Sequence, residues 1–280
     1  MRLGVTGAKG LLGGAIVRRI NDVLPEAIVI SFARNDFDIT DKDATHNAIT
    51  GSDLDVLINC AAYSAVDKAE REPDLAYAVN ATAVGHIAGA CSVSSIRLVH
   101  ISSDYVFDGS KKEPYKEDDP PCPIGAYARS KADGEKEALS KCPGVLIVRS
   151  AWLYGRDSPN FVSTIIDKGK SAGKLNVIND QIGSPTYTED LALAIGQLIE
   201  KDVTGIVNVV NSGYCSWYEL AVEALKLAGL ESVKVFPVNS DEYKTLATRP
   251  KNSQLDTSHY ERITGAPLRH WRSALKEFVI

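Results

Sequence analysis

Long apolar runs are missing from this 280-residue chain. None approaches the ~18 consecutive apolar residues that a membrane span needs, so no membrane partner is expected. Cysteine is scarce, with five residues at Cys60, Cys91, Cys122, Cys142 and Cys215. Their odd number, wide spacing and lack of any C-x-x-C argue against a disulfide framework and leave free thiols in a reducing compartment. Neither the cysteines nor the scattered histidines show zinc-ligand spacing, so no metal site is expected. A block of Lys and Arg is also lacking. The 31 basic residues are outnumbered by 36 acidic ones, giving a net charge of −5. That balance excludes a general nucleic-acid coat. It also gives little long-range pull on an anion, so any phosphate site has to be built locally. No basic and then apolar leader precedes the strand-like Arg2–Thr6, and a soluble cytoplasmic protein is expected.

What the chain does have is alternation. Short apolar runs at Leu3–Thr6, Ile28–Phe32, Val56–Asn59, Leu98–Ser102 and Val145–Arg149 read as strands covered on both faces. Helical stretches lie between them at about Leu11–Asn21, Asp74–Ser92 and Tyr127–Ser140. Repeated βαβ units of this kind imply an α/β fold with a Rossmann-type doubly wound parallel sheet. After Trp152 the pattern loosens, with helices near Phe161–Lys170, Glu189–Glu200 and Trp217–Ala228, and strands near Leu175–Ile178, Ile206–Val210 and Val233–Pro237. We read residues 1–150, with about 186–212, as a dinucleotide-binding domain. Residues of about 151–185 and 213–280 form a smaller, interleaved C-terminal lobe.

The first strand runs into Thr6-Gly7-Ala8-Lys9-Gly10-Leu11-Leu12-Gly13, a G-x-x-G-x-x-G. Gly7 permits the tight turn, Gly10 lets backbone approach a pyrophosphate, and Gly13 lets the helix pack close on the sheet. Free N–H groups at the helix start then face the phosphates. Such a loop is weak evidence alone; its place between the first strand and the first helix is what points to a dinucleotide. The ribose 2′ group is read at the end of the second strand, where an acid would accept from a 2′-hydroxyl. Here stands Ser31-Phe32-Ala33-Arg34, with Asp36 and Asp38 later. Arg34 suits a 2′-phosphate and favours NADPH. NADH stays open, because a loop arginine is also often simply solvated.

Tyr127 and Lys131 stand four apart at a helix start and share one face. One strand earlier, Ser103 closes a parallel strand whose end points into the ligand crevice. Together they supply what carbonyl reduction needs. Ser103 donates to the oxygen that gains charge, Tyr127 delivers the proton, and Lys131 is expected to lower the phenol's pKa and hold a ribose.

The chain resembles the dTDP-4-dehydrorhamnose reductase family of extended short-chain dehydrogenases/reductases. The resemblance rests on Asn59–Glu70 (NCAAYSAVDKAE), His100–Gly109 (HISSDYVFDG), the Tyr127–Lys131 motif, Val148–Gly155 (VRSAWLYG), Asn179–Thr186 (NDQIGSPT), Ser216–Leu220 (SWYEL) and Arg249–Thr257 (RPKNSQLDT). It is looser near Glu231–Leu246. It implies that Ser103, Tyr127 and Lys131 are the catalytic triad of a reductase that converts dTDP-4-dehydro-L-rhamnose to dTDP-L-rhamnose. It further implies that Gly10, Leu11 and Leu12 lie along the cofactor, Asp38 and Ile39 near the adenine, and Ala62, Tyr63 and Ser64 near ribose and pyrophosphate. Asp104 and Trp152 would touch the sugar nucleotide; Trp152 also reads as ordinary core. Asp67, Lys68, Glu70 and Arg71 read as a solvated charge cluster. Two rivals remain: a binding protein like the regulatory β subunit of methionine adenosyltransferase, and a reductase or epimerase of another nucleotide sugar. Whether the chain forms a homodimer is left open.

Overall fold

A computed structural model describes residues 1–242 and 245–280. The looser stretch near Glu231–Leu246 therefore lies partly outside the described residues. The first half alternates as β1 (Arg2–Thr6), α1 (Leu11–Arg19), β2 (Ile28–Phe32), α2 (Lys42–Thr50), β3 (Val56–Asn59), α3 (Val66–Ala69), α4 (Pro73–Tyr77), α5 (Ala83–Val93), β4 (Arg97–Ser103), α6 (Gly125–Lys141) and β5 (Leu146–Ser150). The second half adds β6 (Leu153–Tyr154), α7 (Phe161–Ser171), β7 (Lys174–Ile178), β8 (Ile182–Gly183), β9 (Thr186–Tyr187), α8 (Thr188–Glu200), β10 (Gly205–Asn208), β11 (Cys215–Ser216), α9 (Trp217–Leu227), β12 (Lys234–Val238), α10 (Ser258–Thr264) and α11 (Trp271–Val279). No described helix is long and apolar enough to cross a membrane.

One six-stranded sheet organises the molecule, in the order β10-β5-β4-β3-β1-β2. All its pairings are parallel. The chain leaves β1 towards β2 on one side and returns to β3 on the other. That reversal opens a crevice beyond the carboxyl ends of β1 and β3, where open α/β sheets bind ligands. Strands β3 and β5 are buried throughout and β4 at all but Arg97 and Ile101, as expected of strands covered on both faces. The edge strand β2 is not, since Ile28 is 56% exposed. With nothing beyond it in the sheet, β2 has one open flank.

Helix α2 escaped the sequence reading because its buried stripe is only Thr45 and Ile49, too short for a visible period. The Asp41 carboxylate starts it by accepting from the Asp43 and Ala44 amides. The stretch read as one helix over Asp74–Ser92 is broken by a π turn at Ala78–Thr82 between α4 and α5. Among the helices of the second half, α8 and α10 return to the sheet: Leu191, Ile195 and Tyr260 enter the same core as Leu3, Val5 and Ile16. Around them β6 pairs with β9, β7 with β12 and β8 with β11 in two-stranded patches. A separate core of Tyr154, Tyr187, Leu220, Trp271 and Leu275 holds these patches together.

Candidate active site

The glycine loop takes the conformation its sequence suggests. Gly7 sits at φ +65° with no room for a Cβ, which would stand 2.8 Å from the Ala61 nitrogen. A Cβ on Gly13 would overlap the Gly7 carbonyl oxygen, so this glycine serves helix–strand packing. Gly10 precedes α1 without any side-chain cap, and the first amides of the helix are left free for an anion. A cavity of about 480 Å³ opens there, lined by residues that include Gly7, Lys9, Gly10, Arg34, Asp38 and Tyr63. Ile39, Ala62 and Cys60 line it as well. Two cations, Lys9 and Arg34, thus share one cavity, and Arg34 is 86% exposed, 3.9 Å from Asp38. The Asp38 carboxylate is held below its usual range by the Thr40 amide and hydroxyl, which donate to it. A cradle that no Cβ could share, free amides and two cations fit a phosphorylated dinucleotide.

Not every residue assigned to the cofactor reaches this cavity. Leu12 is buried in the sheet core, Gly13 packs against Gly7, and Leu11, Ser64, Tyr127 and Lys131 are outside the lining. Sequence reading in turn missed Lys9, Phe32, Phe37 and Leu75, all of which line it. It also missed Asn80, which carries no motif. Buried in the π turn, Asn80 accepts from the Tyr63 amide at 2.8 Å and donates to the Tyr63 carbonyl at 3.0 Å. Its amide also donates to the Ser130 hydroxyl at 3.0 Å, between Tyr127 and Lys131 on α6. One side chain therefore fixes the cavity loop to the helix of the candidate catalytic pair; π turns are often found at functional places.

The three catalytic candidates meet at the carboxyl end of β4. Ser103 closes that strand, and its hydroxyl donates to Asp104 at 2.9 Å and accepts from the Tyr105 amide. It also stands within hydrogen-bonding reach of the Tyr127 phenol. Burial pushes that phenol up to about 12, against the smaller downward pull of Ser103. Lys131 does not lower it as expected. The ammonium is committed to the Ile101 carbonyl at 2.7 Å, and burial brings Lys131 down to about 8. Glu135, one turn further along α6, opposes that fall. Beneath them the buried His100 is held neutral, well below its ordinary range, by burial and by the charge of Lys131. The Asn59 side-chain amide stands 3.1 Å from its Nδ1, and Asn59 accepts from Thr6.

On the lobe side, Asp104 is 3% exposed, and burial raises its carboxyl to about 6. The backbone of Trp152 is held at φ +48°, a strained conformation for a bulky residue. Its indole stacks on Trp217 at 3.5 Å between centroids and covers Gly183. Trp152 is half-buried, so it is part core and part surface. The charge cluster at 67–71 is not simply solvated. Asp67 pairs with Arg249 at 2.7 Å, and Glu70 accepts from the Ala126 amide at 2.7 Å. Among the described residues no group of three or more His, Cys, Asp or Glu is placed to hold a metal ion.

The family model described as RmlD substrate binding domain matches residues 1–280. A dTDP-4-dehydrorhamnose reductase of Streptomyces griseus is 40% identical, over 98% of this chain and 91% of that protein. A probable dTDP-4,6-dihydroxy-2-methyloxan-3-one 4-ketoreductase of Streptomyces antibioticus is 39% identical, over 99% of this chain and 94% of its own length. Among solved structures, dTDP-4-dehydrorhamnose reductase from Bacillus anthracis in complex with NADP superposes with a TM-score of 0.95, 37% identity, and coverage of 99% and 98%. Matched from end to end in sequence and fold, this chain belongs to the RmlD family of dTDP-4-dehydrorhamnose reductases.

Proposed function

We propose that the protein uses NADPH to reduce the 4-keto group of dTDP-4-dehydro-L-rhamnose, giving dTDP-L-rhamnose. The observation that carries this reading is the convergence of Ser103, Tyr127 and Lys131 at the carboxyl end of β4, with Lys131 in electrostatic reach of Cys60, which lines the glycine-loop cavity, in a chain that matches the family over its full length. NADPH supplies the hydride when bound. The residues handle charge and protons. Ser103 donates to the carbonyl oxygen as it becomes an alkoxide, and Tyr127 passes its phenolic proton to that oxygen. With its pKa pushed up to about 12, the phenol is protonated at neutral pH and serves as a stored acid. Lys131, anchored on Ile101 one helical turn along α6 from Tyr127, would hold the ribose of the cofactor. Asp104 and Trp152 contact the sugar nucleotide from the lobe side, and Arg34 with Lys9 favours a 2′-phosphate.

The test follows nicotinamide absorbance, with the keto-sugar made in place from dTDP-glucose by a dehydratase and an epimerase. Oxidation of NADPH that needs both upstream enzymes is expected. Tyr127→Phe should retain cofactor binding and lose about 10²–10⁴-fold in kcat. Undiminished turnover in that variant would overturn the acid assignment. The Streptomyces antibioticus relative, nearly as similar as the rhamnose-type ones, supports one second reading: 4-keto reduction of another dTDP-linked sugar. Oxidation that needs the dehydratase but not the epimerase would favour it.

A further inference from the structure

The segment from Ala61 to Glu72 touches three regions at once. Its first residues, Ala62 and Tyr63, line the cofactor cavity. Glu70 accepts from the Ala126 amide, the residue before Tyr127, and closes over Gly125, where a Cβ would stand 2.6 Å from its carboxylate. Asp67 reaches the C-terminal strap. It accepts from the Ala247 amide at 3.1 Å and from the Arg249 guanidinium at 2.7 and 3.3 Å. Arg249 also donates to the Ala247 carbonyl at 3.1 Å, so the turn of the strap and the carboxylate share one guanidinium. Arg249 also neighbours Tyr105, which packs edge-on against Tyr127 at 5.6 Å between centroids.

The pair joins residues 182 apart. Asp67 is 43% exposed, and a part-exposed ion pair adds little to stability. Its position is more informative, because it connects the loop that meets the cofactor to the strap that meets the catalytic tyrosine's neighbour. We infer that Asp67 and Arg249 are positioning residues that couple the two ligand sites: ordering of the 61–72 loop by cofactor fixes the strap, and sugar-nucleotide binding tightens in turn. This rests on the functional reading above, in that the second ligand is taken to be the sugar nucleotide.

The experiment measures NADPH affinity by fluorescence, with and without saturating dTDP, and dTDP affinity with and without NADPH. Linkage requires the two ratios to agree. In the native protein each ligand should tighten the other roughly 5- to 20-fold. Asp67→Asn should bind NADPH alone within about twofold of native and bring the ratio close to one. Arg249→Gln should do the same, and the double variant should lose no more than either single one, as a shared contact demands. Arg249→Lys, which keeps the charge, should recover part of the coupling and guards against misfolding in the other variants. A coupling ratio unchanged in Asp67→Asn, or absent in the native protein although dTDP binds, overturns the clasp alone. If dTDP does not bind at all, the sugar-nucleotide reading fails, and the clasp fails with it.

Discussion

The sheet half and the lobe half reach order by different routes. In the first, five parallel strands and their helices bury continuous apolar runs, and short-range signals decide most of the structure. In the second, strands of two residues such as β6, β8, β9 and β11 exist because partners distant in sequence arrive beside them. Its order depends on an aromatic core and on capped helices, with capping boxes at Asn160 and Ser216. The lesson is that a scaffold can be written locally while the lobe packed against it is written across the chain.

The strongest way to test this division is Trp271→Ala. Trp271 is fully buried at the centre of the lobe's aromatic core, so the change should cost about 3–5 kcal/mol. If the halves are distinct, calorimetry should show earlier melting of the lobe while NADPH binding persists below that transition. Loss of cofactor binding together with the lobe would mean that the halves form one cooperative unit. Next comes acidity at their border. The Asp104 carboxyl is raised from 3.8 to about 6, so the folded protein holds its proton more tightly than the unfolded chain. That contribution is fully present below pH 3.8 and is lost as pH rises through about 6. Its size is on the order of 3 kcal/mol at most. Asp104→Asn should therefore flatten the fall in melting temperature across this window; an unchanged slope would assign the fall to other groups. The smallest effect is expected in the sheet half. Arg34→Ala should weaken NADPH binding about tenfold and leave NADH binding nearly unchanged. Equal losses for both cofactors would remove Arg34 from the 2′-phosphate.

Legibility follows the same border. The strands, the glycine turn and the Tyr127–Lys131 spacing can be read because each depends on neighbours within a few residues. The partners of Asp67 and Glu70 lie 182 and 56 residues away, so a real pair of ties reads locally as solvated charge. The same limit hid the anchoring of Lys131 on Ile101, which depends on a helix crossing a strand end. Asn80 was hidden differently: apolar periodicity shows that a helix is present but not that it carries one residue too many. The cavity's extra members Lys9 and Phe32 sit within the segments that were read and Phe37 close by, but spacing alone does not say which of their neighbours face the cavity.

That extra residue constrains which changes in chain length the protein tolerates. Each residue turns a helix by about 100°, so the register of everything after the π turn depends on it. Val84, Ile87, Ala88 and Cys91 face their core only while the insertion stands, and Asn80 meets both Tyr63 and Ser130 only within it. Deleting one residue from 78–82 would give a more regular helix in which the clamp or the buried face falls out of phase. Most surface loops of an enzyme accept gained or lost residues as lineages diverge. This helix carries a length that drift cannot edit one residue at a time.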